Sequence, residues 1–214
     1  MNRLLKTTLL TICTFFILLF QPNVNAVIRI NDPAIRNDTI RDCKYTLAQA
    51  LKGCNAPKDI LNTLRLVSVA YYSFDGKLHS GQLLIHKDLE KDIKRIFKKI
   101  LDNKFPVAKV IPISKYNWID SLSMRDNNTS AFNYRKIKGT KILSKHSYGK
   151  AIDINPLINP KIKNGMTEPY NARYTPEKQG VFSKNNTIKN EFAKLGWQWG
   201  GNWKRSKDYQ HFEK

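Results

Sequence analysis

The feature that most constrains this chain is the stretch Ser144-Lys145-His146-Ser147-Tyr148-Gly149-Lys150-Ala151-Ile152-Asp153, read together with Asp208-Tyr209-Gln210-His211 near the C-terminus. The two stretches hold two imidazoles, one carboxylate suited to be a ligand and a spare carboxylate. A catalytic zinc site needs that set: three protein ligands, one open position, and a base to take a proton from water. A fold that uses it must bring residues 146, 153 and 211 to one place.

Residues 151–155 alternate around Ile152 and Ile154 and are expected to form a short strand. A period of two puts Ala151, Asp153 and Asn155 on one face and the isoleucines on the other. Pro156 ends the strand because it cannot donate to a ladder. His146 precedes it in a loop, and Gly149 permits the positive-φ turn that folds His146 back over the strand. Ala151 is the small residue beside the site. Gly149 and Pro156 argue against a helix here. The reading requires His211 and Asp153 to share one face of a sheet.

The pattern Ser-x-His-x-x-Gly-x-Ala-x-Asp followed by a late Asp-x-x-His resembles the zinc D-Ala-D-Ala carboxypeptidase family, which also includes phage endolysin and vancomycin-resistance peptidases. The resemblance runs from about residue 64 to the C-terminus and takes in Tyr72-Ser73-Phe74-Asp75-Gly76 and Asn128-Thr129-Ser130-Ala131-Phe132-Asn133-Tyr134-Arg135. It implies one Zn²⁺ per chain held by His146, Asp153 and His211. It implies Asp208 as general base and later acid, where the family more often has glutamate; aspartate reaches one methylene less. Glu213 is the rival base, since on a strand it shares a face with His211, but a supporting or surface place suits it better. Arg135, helped by Ser130, is implied to bind a substrate carboxylate or carbonyl, for which the guanidinium fork is suited. The implied substrate is the peptidoglycan stem peptide, cut either at D-Ala-D-Ala or at L-Ala-D-Glu. The implied fold is α+β, a central antiparallel sheet with flanking helices of the Hedgehog and DD-peptidase kind. Related folds keep the metal without catalysis, so a zinc-bearing wall-binding module is the alternative; the presence of Asp208 favours the enzyme.

Residues 1–26 read as a secretory signal, with Arg3 and Lys6 ahead of an apolar run over 7–20 and Val24-Asn25-Ala26 at the cut. That run is shorter than the ~20 residues of a membrane span. Residues 27–63 read as an N-terminal extension and 64–214 as the zinc peptidase domain. The net charge of +20 calls for an anionic partner. Export and the lack of any nucleic-acid-binding motif point to an anionic cell wall or membrane surface, not to nucleic acid. The protein is expected to be exported, periplasmic or wall-associated, and monomeric. Cys13 leaves with the signal, and the remaining pair, Cys43 and Cys54, is expected to form a disulfide.

Elsewhere, residues 45–51 read as a short helix stopped at Gly53. Residues 64–74 and 78–86 read as a hairpin turned at Asp75-Gly76. Residues 89–101 form the clearest helix, capped by Asp88. Residues 107–113 read as a strand, 121–133 as a long loop and 156–185 as a flap-like loop. Residues 187–195 read as a helix, 197–199 as a strand and 209–212 as the last strand.

Overall fold

The longest apolar alternations in the chain build its frame. In the computed structural model, which describes residues 38–214, β1 (Ile40–Arg41) is followed by two short helices, α1 (Leu47–Ala50) and α2 (Lys58–Leu61), and then by β2 (Leu64–Tyr72) and β3 (Leu78–His86). The signal segment and the first part of the expected extension lie outside the described residues. β2 and β3 pair antiparallel along their whole length, from Leu64↔His86 to Tyr72↔Leu78, around the Asp75-Gly76 turn. β1 adds in parallel on β3.

α3 (Glu90–Asp102) buries Ile93, Ile96, Phe97 and Ile100, the three-and-four spacing of one helix face. Each such side chain taken from water contributes about 1.5–3 kcal/mol. The helix packs on β2 and, with Phe182, Phe192, Trp197 and Phe212, closes the main core. Asp88 does not cap it. Asp88 sits inside a 3-10 turn, Lys87–Leu89, and its own N–H donates to His86 Nδ1.

The expected strand at 107–113 is cut down to β4 (Lys109–Val110) between its prolines. The expected loop at 121–133 instead holds α4 (Asp120–Arg125) and β5 (Asn128–Thr129), which pairs in parallel with β4. The Asn128 side chain closes this pair by bonding both the N–H and the C=O of Ile111. β6 (Ala151–Asp153) carries the candidate ligand Asp153. Asn155 does not continue its face: it turns to φ 49° and clamps Ala108 N–H and the Pro106 and Gly180 carbonyls.

The flap region contains a hairpin, β7 (Lys161–Lys163) and β8 (Met166–Glu168). Its turn is Asn164-Gly165, both at positive φ, the pair such two-residue turns favour. α5 (Thr187–Lys194) starts at Asn186, whose side chain accepts from two backbone N–H groups, and stops at Gly196. β9 (Gln198–Trp199), β10 (Lys207–Asp208) and β11 (His211–Glu213) complete the chain.

The fold is α+β, but the expected central sheet is divided. β1-β3-β2, β10-β7-β8 and β6-β11-β9 form three small sheets, with β4-β5 a further pair. Every ladder except the long β2–β3 pair ends after two or three rungs. A second apolar cluster packs Ala50, Ala56, Cys54 and Tyr45 against Leu64, Leu84 and Phe132, which ties residues 45–61 to the hairpin.

The expected Cys43–Cys54 disulfide is corrected: both cysteines are free. The Cys43 thiol points to Gln82 Oε1 (3.5 Å) and the Val110 carbonyl (3.8 Å), whereas Cys54 turns into the second apolar cluster. Packing, not a covalent link, holds this segment. No helix among the described residues is long and apolar enough to cross a membrane.

Candidate metal centre

Three local structures deliver the candidate ligands. β6 and β11 pair antiparallel with His211 directly opposite Asp153 and Glu213 opposite Ala151. Directly opposed residues point to the same face, so His211, Asp153, Glu213 and Ala151 share one side. Ile152 and Phe212, on the other, enter the core. His146 comes from the 3-10 turn Lys145–Tyr148, capped by Ser144. Gly149 then takes φ 63°, and a Cβ there would stand 2.7 Å from the His86 nitrogen and 2.8 Å from Leu64 Cδ2. The His86 N–H donates to its carbonyl at 2.9 Å. Glycine is needed for both handedness and space.

His146 Nε2 lies 3.2 Å from Asp153 Oδ2, His211 Nδ1 lies 2.9 Å from Asp153 Oδ1, and the two ring nitrogens are 3.2 Å apart. One donor atom from each residue falls within 4.8 Å of the others, so the buried trio could hold a metal ion. The outer nitrogens are spoken for. His146 Nδ1 bonds the Ala131 carbonyl, and His211 Nε2 lies 3.0 Å from Glu213 Oε2. Such partners set the tautomer and aim the inner nitrogens at the shared position.

Asp208 arrives by a change of sheet. β10 pairs with β7, placing Asp208 opposite Lys161, and the chain bends at Tyr209-Gln210 before β11 joins β6. Asp208 is buried; its Oδ2 is 3.6 Å from Lys161 Nζ, and its Oδ1 has no hydrogen-bond partner among the described residues. Gly200 makes the close approach possible, since a Cβ there would lie 2.9 Å from Asp208 Cβ and 3.3 Å from His211 Cβ.

The charges show what the group lacks. Burial, and then the Asp153 charge, raise the Asp208 carboxyl above its usual value against the pull of His211, Lys161 and His146. Burial opposes ionisation of Asp153, yet the His146 and His211 imidazoles hold it well below the carboxylate range. Burial disfavours a charged His211, but the hydrogen bonds it donates to Asp153 and Glu213 lift it to about 10. A buried set of acids around two imidazoles calls for positive charge among them, and a divalent cation supplies it at the point where the three donors converge. Two imidazole nitrogens and a carboxylate are ligands that zinc accepts, so donor chemistry and the orphaned Asp208 oxygen both fit that metal.

Arg135 makes no hydrogen bond or ion pair with the trio. Its backbone is bound to the Ser147 hydroxyl, and its guanidinium pairs with Asp120 at 2.9 Å, leaving Nε buried without a partner. Ser130 exchanges backbone hydrogen bonds with Asp153 (3.1 and 2.9 Å), so it lies on the strand edge beside the ligand. Sequence reasoning missed Asp120, the Ala131 carbonyl and Trp203, whose ring is 5.2 Å from that of His211. No sequence signal marks Asp120 or Ala131. The Trp-x-Trp-Gly-Gly-x-Trp run was a signal for the third.

Fold and site thus define an α+β protein with a buried, metal-ready His-Asp-His group beside a second buried carboxylate. Residues 138–214 match a family described as D-alanyl-D-alanine carboxypeptidase, which supports a peptidase of that family. The matched segment contains His146, Asp153, Asp208, His211 and Glu213, but not Ser130 or Arg135. No curated protein and no solved structure matches the chain.

Proposed function

We propose that this protein is a zinc-dependent peptidase that hydrolyses a bond of the peptidoglycan stem peptide. The observation that carries the reading is the convergence of His146 Nε2, His211 Nδ1 and the Asp153 carboxylate beside the unpartnered oxygen of Asp208. Zinc bound there would polarise the scissile carbonyl and make water acidic enough to attack near neutrality. Asp208 accepts the proton of the attacking water at Oδ1 and returns it to the departing amine as the C–N bond breaks. Its raised proton affinity suits both halves of that exchange. Glu213 and the Ala131 carbonyl keep the outer ring protons of His211 and His146 in place. Arg135, steadied by Asp120, binds a substrate carboxylate, and Ser130 lies along the same edge. The excess of basic residues supports a polyanionic wall as partner, and the apolar run over 7–20 supports work outside the cytoplasm.

The test is digestion of purified peptidoglycan by the metal-loaded protein, with and without a chelator, followed by mass analysis of the released peptides. New peptide ends that disappear with chelator support the reading. An intact stem peptide after prolonged digestion by fully metallated protein overturns it in favour of a metal-bearing wall-binding module.

A further inference from the structure

A short exposed hairpin precedes the turn that carries His146. The bridge Lys136↔Leu143 fixes its register, and the Ile137 N–H donates to the Ile142 carbonyl at 2.8 Å. The turn beyond that bond is held in one shape. Thr140 donates from both its N–H and its hydroxyl to the Ile137 carbonyl (3.0 Å each), and the same hydroxyl accepts from the Ile142 N–H (3.1 Å). Gly139 supplies the φ of 78° that the turn requires. At the base, the Ser144 N–H and the Ser147 hydroxyl donate to the Arg135 carbonyl (3.0 and 2.6 Å), so hairpin and 3-10 turn form one unit.

The register sets Ile137 opposite Ile142, so both side chains leave the hairpin on one face. They are 43% and 66% exposed. A lone exposed isoleucine needs no explanation, but two held side by side on a rigid tip are not there for the core. Lys136, Lys138 and Lys141 surround them. All three are exposed, and none makes a hydrogen bond or ion pair among the described residues. No acidic residue occurs between Asp126 and Asp153, so this charge has no compensation along the segment. Charge alone would suit any polyanion. The isoleucines decide among them: a charged polymer in water offers nothing to an apolar pair, whereas an anionic bilayer takes cations at its headgroups and apolar side chains just beneath.

We propose that the hairpin over residues 136–143 docks on an anionic lipid bilayer, with Ile137 and Ile142 at the acyl boundary and the three lysines among the headgroups. The docking surface is separate from the metal-ready group and does not depend on the peptidase reading. It does constrain where that group works. Ile142 is four residues from His146, and an extended residue spans about 3.3–3.6 Å, so their Cα atoms lie within about 14 Å. A docked tip therefore holds His146 and its partners close to the bilayer face.

The test uses the full chain and reads the tip itself. Lysine amines are acetylated with and without vesicles, and the modified positions are mapped by mass. The vesicles are phosphatidylcholine alone or phosphatidylcholine mixed with phosphatidylglycerol, lipids that carry no primary amine. Anionic vesicles should lower labelling of Lys138 and Lys141 by roughly fivefold, the scale of one lysine's attraction to such a surface, and neutral vesicles should not. Ile137→Ser combined with Ile142→Ser, both at exposed positions, should keep the parent's denaturation midpoint and return labelling most of the way to the lipid-free level. The readout is local, so lipid affinity of residues 1–26, common to parent and variant, does not produce this pattern. Equal labelling with and without anionic vesicles overturns the proposal, and so does equal protection by neutral ones. Protection that the isoleucine variant keeps in full overturns it in favour of a polyanion held by charge alone. Peptidoglycan digestion is a separate readout, so the failure of either reading leaves the other standing.

Discussion

Asp208 is set apart from the ligands by one atom: its Oδ1 is buried and unpartnered, while every polar atom of His146 and His211 is engaged. Asp208→Asn removes the proton acceptor and leaves the three donors, so metal content should stay near that of the parent. Turnover should fall by about 10²–10⁴, the usual worth of positioned proton transfer. Parent-level cleavage by Asp208→Asn would remove the residue from the mechanism. His211→Ala should lose both metal and activity, measured by elemental analysis beside the digest. Glu213 acts one step further out, through the His211 ring. Glu213→Ala should weaken metal binding by about 10–100-fold, whereas Glu213→Gln, which can still accept the Nε2 proton, should lose less. Metal titrations that rank the two variants the other way would refute the orienting role.

At the scale of elements, the turn between the 3-10 segment and β6 is the most sensitive joint. Gly149→Ala forces a side chain into the left-handed region and against the His86 backbone. The conformation alone costs roughly 1–3 kcal/mol, and the clash adds to it. The unfolding free energy should fall by at least that much, lowering the denaturation midpoint, and metal affinity should fall with it, because His146 rides on this turn. An unchanged midpoint and affinity would show that the turn tolerates relaxation. The same joint explains why α3 and the β2–β3 hairpin were legible from periodicity while the flap and the 121–133 segment were not. The former are long and one-faced. The latter use short elements closed by polar side chains, which read as loop; the Asn164-Gly165 turn was the overlooked clue.

For the whole molecule, the N-terminal segment is held by a polar knot. Asp42 bonds His79 Nδ1 (2.8 Å), the Tyr71 hydroxyl and the Val110 N–H, and His79 Nε2 reaches Asp75 (3.2 Å). Burial works against charge on His79, but the hydrogen bonds it donates to Asp42 and Asp75 prevail and raise its pKa above 6.5. The folded state therefore favours protonated His79. Its contribution is fully present below about pH 6.5 and is lost as pH rises through the folded value. Denaturation midpoints of the parent and His79→Gln should differ most near pH 6 and converge at alkaline pH. A gap that widens with pH would contradict this. The free cysteines belong to the same scale: an even count does not join two thiols that packing sends to different neighbours.

By itself the sequence determined the donor types, the need for glycine at 149, the hairpin and the central helix, because each depends on residue identity, local periodicity or the φ of one residue; the α+β class came through the family resemblance. Only the tertiary structure decided the rest. His211 meets Asp153 because β11 pairs with β6 in that register, and a one-residue slip would send it to the opposite face. Asp208 joins them because the chain leaves one small sheet and enters another between residues 208 and 211. Arg135 turns to Asp120, and the cysteines stay apart, for the same reason. Partners distant in sequence are chosen by how buried faces and satisfied polar groups fit together in space, and no local pattern carries that information.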